Sequence, residues 1–332
     1  VLDSVESYEI EIEVVNTLVG MGTPYNTVDV LGAALRKMIK LILSGIQQTN
    51  YPISRSEQKQ ISDEYMTLLW GSSENKIVPR NFAGPSGMPI QLQNIVQINE
   101  DAAVPNVRTN YTVTDKADGD RKLLFISSSG RMYLIDTNMN VQFTGTHTYS
   151  KVLYNTLIDG EHIIHNKSGK YINLYAAFDI YYLNKVDVRA LPLISQSENK
   201  NESRLAQLVQ TISGLNPLSV VSKDTVPPLR IQAKTFYAST ETQTIFQACA
   251  VIIQKTKDSL FEYETDGIIF TPANLGVGMS SEDKKPPKPL KITWDHSLKW
   301  KPPEWNTIDF LVTVQNLQMV RFDRNIFESG TN

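Results

Sequence analysis

Apolar and polar residues alternate from position 8 to 15 (YEIEIEVV), with Ile10, Ile12 and Val14 on one side and Glu9, Glu11 and Glu13 on the other. A period of two predicts a strand carrying three carboxylates on one face. The period then lengthens: over 27–47, Leu31, Leu35, Met38, Ile39 and Ile42 recur at helical spacing. Residues 54–69 predict a second, more polar helix, opened by Ser54 and Glu57 at capping-box spacing. Both patterns break at 71–88 (GSSENKIVPRNFAGPSGM), where Gly, Ser, Asn and Pro suit a linker and the entry to a new domain.

Beyond Ile90 the pattern turns mostly to strands. Segments 110–114, 122–127, 132–136 and 156–164 are short, β-rich and separated by turn residues. A longer apolar run with several aromatics covers 171–182. Helices are predicted over 205–212 and 242–255, the latter with Ile245, Ala248, Ile252 and Ile253 in phase. Residues 273–291 hold the densest Gly, Pro and Lys content and predict a mobile surface loop. Its Gly276-x-Gly278 pair lacks the following helix that a phosphate loop requires.

Composition narrows the class. An apolar fraction of 41% supports a substantial core, and a net charge of −3 confines any nucleic-acid contact to a local patch. Cys249 is the only cysteine, so no intrachain disulfide can form, which fits a reducing compartment. No apolar run has membrane length. The chain opens on Val1, already in mid-strand pattern, and is expected to be part of something larger.

The candidate chemistry begins at Lys116-Ala117-Asp118-Gly119 with Arg121, directly after YTVT. A lysine is a nucleophile only as the free amine, so burial or neighbouring cations must favour that form. Alone, K-x-D-G also reads as an ordinary turn. Further pieces follow in order: Asp159-Gly160-Glu161, then Phe178-Asp179 in an apolar strand. Next come Glu264-Thr265-Asp266-Gly267-Ile268-Ile269-Phe270, Leu298-Lys299-Trp300-Lys301-Pro302 and Asn306-Thr307-Ile308-Asp309-Phe310.

That ordered set, over residues 84–312, resembles the covalent nucleotidyltransferase superfamily of DNA ligases, RNA ligases and mRNA-capping guanylyltransferases. L-K-W-K-P followed by N-T-I-D-F is similar to the capping enzymes in particular, as is the entry segment 82–90. YEIEIEVV and the helices after it resemble the end of the metal-dependent RNA triphosphatase module of capping enzymes from large cytoplasmic DNA viruses. The resemblance implies an α+β fold, a nucleotidyltransferase domain of antiparallel sheets with flanking helices. It divides the chain into a triphosphatase-like tail (1–70), a linker (71–83), the nucleotidyltransferase domain (84–305) and the first strands of a truncated OB-fold (306–332). In that OB-fold Arg321-Phe322-Asp323-Arg324 only superficially matches the family's R-x-D-K motif.

By resemblance, Lys116 attacks the α-phosphate of GTP, and the resulting GMP passes to a 5′-diphosphate RNA. Lys299 and Lys301, two apart on a strand, point the same way and are expected to neutralise the α-phosphate and disfavour a charged Lys116. Arg121 and Glu161 are expected at the ribose, and Phe178 on the guanine face. Asp179 is expected to orient backbone or a lysine. Lys234 is the candidate reader of guanine O6, and Arg108 a candidate contact to triphosphate or RNA. Asp266, with Glu264 and Glu161, is expected to hold Mg2+ or Mn2+. Glu9, Glu11 and Glu13 would be metal ligands only within a complete triphosphatase. Partners implied are GTP, RNA, and transcription machinery or a cap methyltransferase, with no membrane, in a host cytoplasm or virion. Two readings compete: an ATP-dependent ligase using the same lysine, and a non-catalytic scaffold of a viral transcription complex.

Overall fold

The computed structural model describes residues 9–73, 76–98, 104–195, 199, 202–240 and 242–305. The chain is α+β. Among the described residues four α-helices, α1 (Val28–Gln47), α2 (Arg55–Trp70), α3 (Arg204–Gly214) and α4 (Ile245–Lys257), accompany thirteen strands. In chain order these are β1 (Ser86–Pro89), β2 (Tyr111–Ala117), β3 (Asp120–Ile126), β4 (Arg131–Asp136), β5 (Val141–His147), β6 (Thr156–His165) and β7 (Tyr171–Leu183). The remainder are β8 (Val186–Asp187), β9 (Leu218–Ser219), β10 (Arg230–Ala233), β11 (Tyr237–Ala238), β12 (Thr265–Pro272) and β13 (Thr293–Trp300).

They form two sheets. A five-stranded sheet runs β1-β13-β12-β2-β11, and an eight-stranded one runs β10-β7-β6-β3-β4-β5-β9, with β8 paired to β7. Pairing is antiparallel except at β1·β13 and β10·β7, which are parallel.

The larger sheet is covered on both faces, and β3 shows why. Its Leu123 and Phe125 point to one side and pack with Ile61, Tyr65 and Met66 of α2, while Leu124 and Ile126 point to the other and pack with Leu208 of α3. A strand buried on both faces reads as a continuous apolar run, which is the KLLFI pattern. Helix α4 lays Ile245, Ala248 and Ile252 on Val113, Ile268, Phe270 and Leu298 of the smaller sheet. A small cluster of Ala117, Ile163, Leu174 and Ala176 joins the two sheets. It places the end of β2, and with it Lys116, over the larger sheet.

Helix caps follow the sequence. Thr27, Ser54 and Thr244 each accept the backbone N–H three residues on, but Glu57 leaves its capping role and instead accepts from Tyr133 and pairs with Arg131. Residues 9–15 form no strand, against the alternating pattern. A strand needs a neighbour for its N–H and C=O groups, and none of the described strands supplies one. Helix α1 has no buried residue, whereas α2 sits in the main core.

Segment 273–291 has no helix or strand, as expected, yet it is pinned and not a loose surface loop. Val277 and Met279 are buried, Arg189 donates to Pro287 O (2.9 Å), and Trp294 donates to Met279 O (2.9 Å). The expected OB-fold strands, Asn306–Phe310 and Arg321–Arg324 lie outside the described residues.

Candidate nucleotide-transfer site

The candidate lysine, Lys116, is positioned by β2, which β12 flanks antiparallel with a register shift between Thr265 and Ile268. That irregularity needs Gly267, whose φ is +149° and whose added Cβ would lie 2.0 Å from Trp300 O. It turns Asp266 toward the sheet junction. There Lys116 Nζ donates to Asp266 Oδ1 (2.6 Å), and Lys301 Nζ lies 2.6 Å from Oδ2 of the same carboxylate. Burial alone would push the Asp266 carboxyl up, but the bonds from Lys116 and Lys301 outweigh it and hold it below the usual carboxylate range.

Lys299 and Lys301 do not act as a pair here. Lys301 reaches Asp266, while Lys299, level with Ile269 in β12, is exposed and has no ion pair among the described residues. Asp118 and Glu264 are also exposed, and the backbone link Asp118 N to Glu264 O (2.9 Å) ties the connection between β2 and β3 to the residue before β12. Glu264 therefore offers its carbonyl to the fold and leaves its carboxylate in solvent.

On the larger sheet, β3 and β6 pair Arg121 opposite Glu161. The guanidinium nevertheless forks onto Asp159, with Nε–Oδ1 3.1 Å and Nη2–Oδ2 2.5 Å, and donates Nη1 to Pro85 O (2.8 Å). Burial works against the charged guanidinium, but the Asp159 carboxylate outweighs this and keeps it protonated. Tyr181 donates its hydroxyl to Asp159 as well. Glu161 is left without such a partner. Burial raises its carboxyl to about 7, against the pull of Lys234, Arg121 and Lys116.

Phe178 is half-buried on β7 between buried neighbours, with the Arg121 guanidinium 5.7 Å from its ring centre. Asp179 points the opposite way. It accepts from Ile180 N (2.8 Å) and from the fully buried Arg204 (Nε–Oδ1 2.7 Å), so it orients backbone and an arginine instead of a lysine. Lys234 is buried, 3.0 Å from Asp115 Oδ2, and donates to the Asp115 carbonyl. Arg108 stands apart on an exposed loop, its Nε donating to Ile95 O (2.9 Å) and its guanidinium 4.7 Å from the Phe246 ring centre.

The structure thus gathers Lys116, Lys301, Asp266, Arg121, Glu161, Phe178 and Lys234 at the sheet junction, and leaves Lys299, Glu264 and Arg108 peripheral. Asp159, Asp115 and Arg204 received no role from sequence. Asp159 was visible in D-G-E, whereas Asp115 and Arg204 sit in segments with no distinguishing pattern. Among the described residues no three His, Cys, Asp or Glu side chains cluster as a metal cage.

An amine and a carboxylate meet at the sheet junction, beside a guanidinium and a half-open aromatic ring. The mRNA capping enzyme catalytic-domain family matches residues 72–303, and the chain belongs to that family. It is 25% identical over 359 residues to the probable mRNA-capping enzyme of Acanthamoeba polyphaga mimivirus, covering 96% of this chain and 27% of that one. It is 26% identical over 219 residues to the mRNA-capping enzyme of Danio rerio, covering 62% of this chain and 31% of that one. The chain therefore spans less than a third of either relative's length. Among solved structures, the ligase domain of M. tuberculosis LigD superposes with a TM-score of 0.39 at 12% identity, over 67% of this chain and 60% of that one. No described helix is long and apolar enough to cross a membrane.

Proposed function

We propose that this chain is an mRNA guanylyltransferase: Lys116 takes GMP from GTP and delivers it to a 5′-diphosphate RNA. The observation that carries the reading is the shared carboxylate, with Lys116 and Lys301 both 2.6 Å from Asp266. In the first step the Lys116 nitrogen bonds to the α-phosphorus, the bond from that phosphorus to the bridging oxygen breaks, pyrophosphate departs and the amine gives up its proton. In the second, a terminal oxygen of the RNA diphosphate bonds to the same phosphorus, the P–N bond breaks and Lys116 regains a proton. Lys301, one side chain away, is placed to neutralise the α-phosphate as charge develops.

The remaining residues fit the rest of the nucleotide. Phe178 offers a ring face to the base, and Lys234 is the candidate donor to guanine O6. Arg121 is held rigid by Asp159 and Pro85, leaving Glu161 as the free acceptor for ribose hydroxyls. Magnesium keeps few protein ligands, one or two carboxylates beside phosphate oxygens. Asp266 and Glu161 match that donor set, although Asp266 would have to release a lysine to bind the ion. When bound, such a cation polarises the phosphoryl oxygens.

The test is incubation with α-labelled GTP or ATP and magnesium, followed by a denaturing gel. GTP should leave a covalent label that added pyrophosphate removes, and ATP should label at least roughly tenfold less, the worth of about one buried base contact. Equal labelling by ATP would favour the ligase reading.

A further inference from the structure

The acceptor in this reaction is a polyanion, yet the chain carries a net charge of −3, so the RNA must be met by a local patch. Segment 273–291 holds four lysines, Lys284, Lys285, Lys288 and Lys291, against two acids. All four are exposed, and none forms an ion pair among the described residues. Of the two acids, Asp283 is engaged in its own turn, accepting from Ser280 N (2.8 Å) and Oγ (2.9 Å). The usual account of such lysines, a solvated loop that swings freely, does not describe this backbone. Pro286, Pro287 and Pro289 fix φ between Lys285 and Lys291, and Val277 in the core of the larger sheet, the Trp294–Met279 bond to β13 of the smaller sheet and the Arg189–Pro287 bond moor the segment.

The segment also adjoins the residues that hold Arg121. Lys291 N donates to Arg80 O (3.0 Å) and Ser86 N to Ile292 O (2.7 Å), while the preceding residue in the entry segment, Pro85, accepts from Arg121 (2.8 Å). Lys288 lines a small hollow together with Gly84, Pro85 and Tyr181, the last of which bonds Asp159. These uncommitted cations stand on a stiff backbone one hydrogen-bonded step from the Arg121 site, so meeting a phosphate chain costs side-chain but little backbone entropy.

We propose that Lys284, Lys285, Lys288 and Lys291, with Arg80, form a track for the phosphodiester backbone of the acceptor RNA just behind its 5′ end. This rests on the guanylyltransferase reading above. The track acts in the second step only, after Lys116 carries GMP.

The test compares the chain with its Lys285→Gln/Lys288→Gln variant in two assays. The first is the single-turnover rate of lysyl-GMP formation. The second is fluorescence anisotropy with a 5′-diphosphate RNA of about ten nucleotides labelled at its 3′ end, long enough to fill a single-strand site. The variant should form lysyl-GMP at the original rate. It should bind the RNA about tenfold more weakly, with a log-log salt slope flatter by about 1.4, two phosphates at roughly 0.7 each. A Lys170→Gln/Lys223→Gln control, equal in charge change and elsewhere on the surface, should bind RNA as the original does. The proposal is overturned by unchanged RNA affinity, by equal weakening in the control, or by slowed lysyl-GMP formation, which would assign the lysines to the nucleotide's leaving phosphates. If the original chain forms no lysyl-GMP at all, the guanylyltransferase reading fails, while the anisotropy arm still decides the track.

Discussion

At the residue scale, the site is governed by which carboxylates have partners. Asp159 and Asp266 are each bound by cations, and Glu161 is the one that burial leaves uncompensated, with a carboxyl raised to about 7 from 4.5. Between those values the folded chain holds more protons than the unfolded one, so this residue makes stability fall as pH rises from about 4.5 to 7, and the penalty is complete above that. Glu161→Gln, without nucleotide or metal, should therefore raise Tm relative to the original at pH 8 and change it little at pH 5. Thermal melts at both values check it, and a variant less stable at pH 8 would mean that Lys116, Lys234 and Arg121 already compensate the charge. Most of these residues were legible in the motifs, because chemistry restricts residue type at fixed spacing. Their pairings were not. Arg121 faces Glu161 across the strands but bonds Asp159, a choice set by side-chain reach and the Pro85 carbonyl instead of register.

At the scale of elements, the helices and the central strands could be read because their periodicity is local. Strands β5 and β10 and the parallel pairs β1·β13 and β10·β7 could not, since they depend on partners distant in sequence. The alternation over 9–15 failed for the complementary reason, a strand pattern without a described neighbour. Where a local signal was missing, a buried charge pair joins the elements. Arg204, at the start of α3, binds Asp179 on β7 and the carbonyls of Leu191 and Leu275, tying helix, sheet and the 273–291 segment together. Arg204→Met strands the Asp179 carboxylate in the core, which costs about 3–5 kcal/mol. For a domain of this size that lowers Tm by roughly 6–20 °C. Adding Asp179→Leu should recover most of the loss in the same melting experiment. A double variant no better than the single one would show that the carbonyl contacts, not the charge pair, are what matters.

At the scale of the whole molecule, two helices that precede the family match differ in kind. Helix α1 buries no residue, whereas Ile53, and Ile61, Tyr65 and Met66 of α2, sit in the core of the larger sheet. Removing residues 1–40 should shift Tm by less than about 3 °C, the effect of at most about one kcal/mol. Removing residues 1–72 deletes those four core side chains at about 2–5 kcal/mol each, enough to exceed the stability of an ordinary domain. Differential scanning of the two truncations checks this, and a folded 73–332 chain would contradict it. The placement of Lys116 depends on that core, because β2 is carried over the larger sheet by the cluster joining the two. The most direct measurement of the account is to react the chain with GTP and magnesium, digest it, and locate the adduct by mass spectrometry. GMP should be found on the peptide containing Lys116, acid-labile as a phosphoramidate, and absent from the Lys116→Arg chain, whose guanidinium stays protonated. A label on another residue, or an undiminished label on Lys116→Arg, would contradict the mechanism.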